Sequence, residues 1–143
     1  MNLHDFIQMP AVICSPKETL VGVARLMEAN DVGSVVVIDS GAHIVGIVTD
    51  RDLAIRALAH RRTPDTRVDK IMTPNVTFLR EDADVFTAAT QMATSGCRRM
   101  PVVDAEGHTK GVVSLDDLLT LFVRQTDKLA EIATAEMPRR VSW

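Results

Sequence analysis

Two stretches of this 143-residue chain set a hydroxyl three residues ahead of a carboxylate: Thr49 and Asp52 in "GIVTDRDL" (46–53), Ser114 and Asp117 in "GVVSLDDL" (111–118). A carboxylate accepts from two adjacent hydroxyls at once, which suits the 2′,3′-diol of a ribose and discriminates against deoxyribose. A hydrogen bond with a charged partner contributes about 1.5–3 kcal/mol. Each pair follows an apolar run and opens a helical pattern, so the hydroxyl falls at a helix start. Unpaired N–H groups and the positive end of the helix dipole attract phosphate oxygen there. The same spacing also makes a near capping box, in which the hydroxyl caps one N–H and the acid reaches back. The hydroxyl can serve both roles.

The elements that position these pairs are written twice. Gly46 matches Gly111, 65 positions on, and the same offset carries Thr49 onto Ser114, Asp52 onto Asp117, Leu53 onto Leu118 and Asp39 onto Asp104. Upstream, Leu20, Val23, Ala24 and Met27 fall on Val85, Ala88, Ala89 and Met92, each set spaced as one apolar helix face. Thr19 and Asp84 precede these faces as expected N-caps. Before them, "AVIC" (11–14) and "VTFL" (76–79) read as short strands introduced by Pro10 and Pro74. Those prolines are 64 apart, which predicts one residue gained or lost around the first strand. The turns "DSGAH" (39–43) and "DAEGH" (104–108) hold Gly where a hairpin wants a positive φ. The strands after them, "IVGIV" and "GVV", are almost wholly apolar and should be buried on both faces, Gly46 and Gly111 allowing close packing.

Each unit therefore reads strand, helix, strand, tight turn, strand, helix. The first unit is placed at residues 5–60, a solvated linker at 61–68, the second unit at 69–124 and a tail at 125–143. A unit of this size is marginal alone, and two packed sheet against sheet would make one α+β core. From Asp117 to about Met137 the chain can stay helical, with Leu118, Leu121, Phe122, Leu129, Ile132 and Ala133 near one stripe. That stripe either meets a partner, most simply another copy of the chain, or folds back over its own core. The closing "PRRVSW" is expected to fray.

Composition narrows the function classes. A net charge of −3 argues against a general nucleic-acid binder. No apolar stretch approaches 18 residues and no charged leader precedes one, so neither a membrane span nor a signal peptide is expected. Cys14 and Cys97 lack metal-site or disulfide spacing and read as two small semi-buried residues in a reducing cytoplasm. His4, His43, His60 and His108 fall near a terminus, in the turns or in the linker, outside any catalytic motif. Neither a catalytic residue nor a metal ligand is assigned.

With "VVVID" (35–39) and "MPVVD" (100–104) before it, the doubled motif resembles a tandem pair of cystathionine β-synthase-type (CBS) domains, a Bateman module, over about residues 5–124. No room is left in that span for a separate catalytic domain. The resemblance implies two β-α-β-β-α repeats about a pseudo-twofold axis, with two clefts between the halves. It implies that the clefts bind adenosine compounds, namely AMP, ADP, ATP or S-adenosylmethionine, sometimes NADH or dinucleoside polyphosphates. Disk-like homodimers are implied as well. By matching positions, Asp52 with Thr49, and Asp117 with Ser114, would hold ribose and phosphate. Arg98 and Arg99 would face a phosphate in the cleft built on Asp52, with Thr77 touching the adenine there. In the opposite cleft their counterparts, Gly33 and Ser34, carry no charge; Arg51 would reach across instead, and Val12 would line the adenine pocket. Asp116, the counterpart of Arg51, would repel phosphate near the first cleft.

The expected function is a non-catalytic, cytoplasmic regulator that senses an adenine nucleotide and acts through dimer or partner geometry. The alternatives are a ligand-free structural or dimerisation protein, in which the four motif residues are caps only, and a binder of S-adenosylmethionine or NADH.

Overall fold

Two capped helices start the repeat. Thr19 Oγ1 accepts from the Gly22 N–H at 3.1 Å and opens α1 (Leu20–Asn30); Asp84 Oδ1 accepts from the Thr87 N–H at 2.9 Å and opens α3 (Val85–Ser95). Both caps are those expected from sequence. Each helix buries its apolar stripe, Leu20, Val23 and Met27 in one, Val85, Ala88 and Met92 in the other. Both end on a left-handed residue, Asp31 and Gly96, again 65 apart. The computed structural model describes residues 3–7 and 9–135, so the terminal "PRRVSW" lies outside the described residues.

The strands form two sheets. In the first, β1 (Ile13–Cys14) runs parallel to β2 (Ser34–Ile38), which pairs antiparallel with β3 (Ile44–Thr49), which pairs antiparallel with β4 (Thr73–Pro74). In the second, β5 (Leu79–Arg80) runs parallel to β6 (Arg99–Val103), which pairs antiparallel with β7 (Thr109–Ser114). The register repeats as the sequence does. Ser34 faces Thr49 and Arg99 faces Ser114; Val37 faces Gly46 and Val102 faces Gly111; each hairpin is irregular at the next residue. After β3 comes α2, one α-helical turn (Asp50–Asp52) running into a π-helical stretch (Leu53–Leu58). After β7 comes α4 (Leu115–Ala135), the longest helix described.

Alternation along the strands shows why two faces are buried. Val35, Val37 and Val48 pack with α1 in the first half, and Met100, Val102 and Val113 pack with α3 in the second. Between them, Val36 and Ile47, and their counterparts Pro101 and Val112, are buried on the opposite faces, where sheet meets sheet. The fold is the expected α+β pair of repeats.

The two helix-facing clusters stay distinct, and the halves are joined by an exchange. Leu3, Phe6 and Ile7 pack into the second half's cluster, whereas Val68, Ile71 and Met72 pack into the first. The Leu3 N–H donates to Ala83 O at 3.3 Å; the Val68 N–H donates to Glu18 O at 2.7 Å. Val68, read from sequence as the end of a solvated linker, is therefore core. Thr66 and Pro64 also serve α1, their carbonyls accepting from the first-turn N–H groups of Leu20 and Val21. Gly46 lets β4 approach, because a Cβ there would collide with the Met72 sulfur and lie 3.1 Å from Thr73 O.

Three expectations need correction. The exchange contacts and the pairings of Cys14 with Val37 and Leu79 with Val102 all keep the 65 offset, so no residue is gained or lost; Pro10 and Pro74 occupy non-equivalent places. In the first hairpin the positive φ falls on Ala42 (63°), the counterpart of Gly107 (86°), and not on Gly41. Cys97 is exposed; only Cys14 is buried.

Candidate functional site

Thr49 ends β3 and Ser114 ends β7, and each opens the helix that follows. Thr49 Oγ1 accepts from the Asp52 N–H (3.1 Å), while Asp52 Oδ2 accepts from the Thr49 N–H (2.9 Å). Ser114 Oγ accepts from the Asp117 N–H (3.1 Å), and Asp117 Oδ2 accepts from both the N–H and the hydroxyl of Ser114, each at 2.7 Å. Both motifs are thus capping boxes. They differ in the second carboxylate oxygen. Asp52 Oδ1 lies 3.4 Å from Arg56 Nε, whereas Asp117 Oδ1 has no hydrogen-bond or ion-pair partner among the described residues. Leu121 stands at the position matching Arg56, so the second half has no cation at that place in its helix.

Three adjoining cavities run past Asp117. The first, about 490 Å³, is lined by 9–12, Leu26 and Asn30, together with Val32, Ser34 and Val112. Those last three also line the second, about 190 Å³, whose polar groups come from Asp31, Arg99, Ser114, Asp116 and Asp117. Arg99, Ser114 and Asp116 pass on to the third, about 260 Å³, where Asp50, Arg51 and Arg98 join them. The surroundings run from a slot lined by mostly apolar side chains, with Asn30 and Ser34 among them, to carboxylates at a helix start and then three guanidinium groups. Ligand pockets commonly hold about 300–1,000 Å³ and pair an apolar lining with a few placed polar groups.

Val12 lines the first cavity, Ser114, Asp117 and Arg99 the second, and Arg51, Arg98 and Arg99 the third. Thr49, Asp52 and Thr77 line none of the three, and Thr77 is exposed. Arg98 and Arg99, assigned by resemblance to the cleft on Asp52, share cavities with Ser114. Sequence reasoning passed over Asp50, whose Oδ1 lies 3.7 Å from Arg99 Nη1, and Asp31 at the end of α1. The run "TDRD" held the first signal, a second carboxylate inside the motif. A larger cavity, about 670 Å³, lies at the far end of β1 beside Lys17 and Arg67. Arg67 is already paired with Asp69 at 2.6 Å, and neither motif carboxylate reaches that cavity, so size does not make it the site.

Asp104, Glu106 and His108 bring three ligating groups within 4.8 Å. Asp104 Oδ1 accepts from the Glu106 and His108 N–H groups, and Oδ2 faces Lys110 Nζ at 3.4 Å. That cation already pairs with the one buried carboxylate of the three. Burial pushes the Asp104 carboxyl up, but the His108 N–H and then Lys110 outweigh it and hold it below the usual carboxylate range. In the first hairpin Asp39 likewise accepts from Gly41 and His43, so this group is hairpin architecture. No helix among the described residues is long and apolar enough to cross a membrane.

The chain is similar to known proteins over most of its length. The family model described as CBS domain matches residues 3–58 and again 68–124. An uncharacterised protein of Methanopyrus kandleri is 37% identical over 120 residues, covering 83% of this chain, which spans 61% of that protein's length. The CBS domain-containing protein YhcV of Bacillus subtilis is 31% identical over 117 residues, 82% of each chain. Among solved structures, the CBS domain pair of protein MJ0100, in complex with 5′-methylthioadenosine and S-adenosyl-L-methionine, superposes with a TM-score of 0.80 at 26% identity, covering 87% of this chain and 98% of that one. A CBS domain protein of Pyrobaculum aerophilum complexed with AMP gives 0.75 at 26% identity, covering 82% and 89%.

Proposed function

Because this chain belongs to the CBS-domain family and carries the domain twice, we propose that it is a non-catalytic, cytoplasmic regulatory module that binds an adenosine nucleotide of the AMP, ADP or ATP type. The observation that carries this reading is Asp117 Oδ1, unclaimed among the described residues and set between an apolar slot and an arginine cluster. Adenine enters beside Val12, the ribose diol donates to Asp117, and phosphate meets Arg51, Arg98 and Arg99. The complexes of two relatives with AMP and with S-adenosyl-L-methionine support the ligand class. Binding spans residues of both halves, so it shifts their arrangement by its differential affinity for each state.

Calorimetric titration with AMP, ADP, ATP, S-adenosylmethionine and NADH tests this reading. Saturable heat with an adenine nucleotide, lost in Asp117→Ala, is the expected result. No heat with any of them at millimolar ligand overturns it.

One feature favours an added assembly role. Leu119, Phe122, Val123, Leu129 and Ile132 on α4 are all exposed, and the Phe86 and Phe122 rings lie 6.1 Å apart beside them. We propose that this face pairs with a second copy of the chain. Light scattering reads the outcome: a dimer that Leu129→Glu dissociates supports it, and a monomer at all concentrations removes it.

A further inference from the structure

We infer that Asp50 sets how strongly this cleft selects for phosphate, by competing for Arg99. The inference rests on the adenosyl reading above and adds to it a residue that acts on the anion through Arg99.

Arg99 opens β6 at the position that matches Ser34, so only one half brings a cation to this place in the fold. Its guanidinium crosses the seam. Nη1 lies 3.7 Å from Asp50 Oδ1, and a Cβ added to Gly33 would stand 2.6 Å from Nη2. Gly33 is thus the opening that admits the arginine to the first half. Its carbonyl also accepts the Asp50 N–H at 3.1 Å, which fixes that aspartate beside the opening. Arg51 and Arg98 form no ion pair among the described residues. Of the three guanidinium groups facing the third cavity, one is held by a carboxylate from within.

A phosphate arriving there exchanges one anion for another at Arg99. It gains the difference between two ion pairs, and the displaced Asp50 carboxylate remains nearby. A ligand without phosphate leaves the Asp50–Arg99 pair intact. Asp50 therefore narrows the gap in affinity between phosphorylated and unphosphorylated adenosyl ligands. It is 64% exposed at the side chain, so its replacement leaves the core untouched.

The test reads one ratio, the Kd of adenosine over the Kd of AMP, in the full chain and in Asp50→Asn, Arg99→Ala and the double variant. Asp50→Asn is expected to raise the ratio about two- to fivefold, the range spanned by an exposed ion pair. Arg99→Ala is expected to lower it, and in that background Asp50→Asn is expected to change nothing. A rise of equal size with and without Arg99 means a simple field effect and overturns the inference, as does an unchanged ratio in Asp50→Asn. Failure of both adenosine and AMP to bind the unaltered chain overturns the adenosyl reading itself, and this inference with it.

Discussion

Ser114 and Asp117 hold each other through three hydrogen bonds and still leave one carboxylate oxygen of Asp117 without a partner among the described residues. Asp52 has no such spare atom, because Arg56 lies 3.4 Å from it. Both aspartates cap a helix, so replacing either by Ala should lower stability by about 0.5–2 kcal/mol. Only Asp117→Ala is expected to abolish nucleotide binding; Asp52→Ala should retain it. Chemical denaturation and calorimetry on the same two variants separate the roles.

Leu3 is fully buried against Leu79, Val85 and Met92, far along the chain. Truncating a buried Leu to Ala costs about 2–5 kcal/mol, through lost transfer energy and the cavity left behind. Leu3→Ala should therefore lower the urea midpoint of the whole chain, with the m-value unchanged. Because residues 3–7 lock onto the second half and 68–72 onto the first, both halves should melt in one transition. Near- and far-ultraviolet circular dichroism that separate into two steps would contradict this.

What could be read in advance was whatever repeats locally. The helix stripes, the caps at Thr19 and Asp84 and the hydroxyl–acid pairs are short-range patterns set by helix and strand geometry. The exchange of lead-ins was not legible, since Leu3, Phe6 and Ile7 announce burial without naming the core they enter. The Arg99–Asp50 pair was equally hidden, because it depends on how two β-strand ends meet across the seam. As for the cavities, sequence offered two clefts already made unequal by Arg98, Arg99 and Arg51, but not the difference that Arg56 and Leu121, at equivalent positions, make to the surroundings of the two aspartates.

The first hairpin shows a local rule failing for a local reason. Asp39 Oδ1 accepts from the Gly41 N–H at 2.9 Å and the His43 N–H at 3.0 Å, and this clamp puts the left-handed residue at Ala42. An L-residue there is strained by about 1–2 kcal/mol, while glycine adds roughly 0.5–1 kcal/mol of chain entropy to the unfolded state. Ala42→Gly should thus stabilise the protein by up to about 1 kcal/mol. Gly107→Ala should destabilise it by a similar amount (about 1 kcal/mol), through backbone alone, since nothing lies within 4 Å of the added Cβ. Opposite shifts in melting temperature are the expected pair of outcomes.

The two thiols should behave as different chemical groups. Burial, with the Glu18 carboxylate adding to it, pushes the Cys14 thiol up from 9.0 to about 11, whereas Cys97 is exposed. The thiolate is the nucleophile, so alkylation at pH 8 should consume one thiol quickly and leave the other. Cys97→Ser should remove the fast phase, and denaturant should release the slow one. The same shift couples to stability. A thiol whose pKa is raised on folding contributes fully below its unfolded value, and the contribution is lost as pH rises through the folded one. Between 9.0 and about 11 the native protein should therefore lose stability through Cys14, and Cys14→Ala should flatten that slope in denaturation midpoints measured against pH.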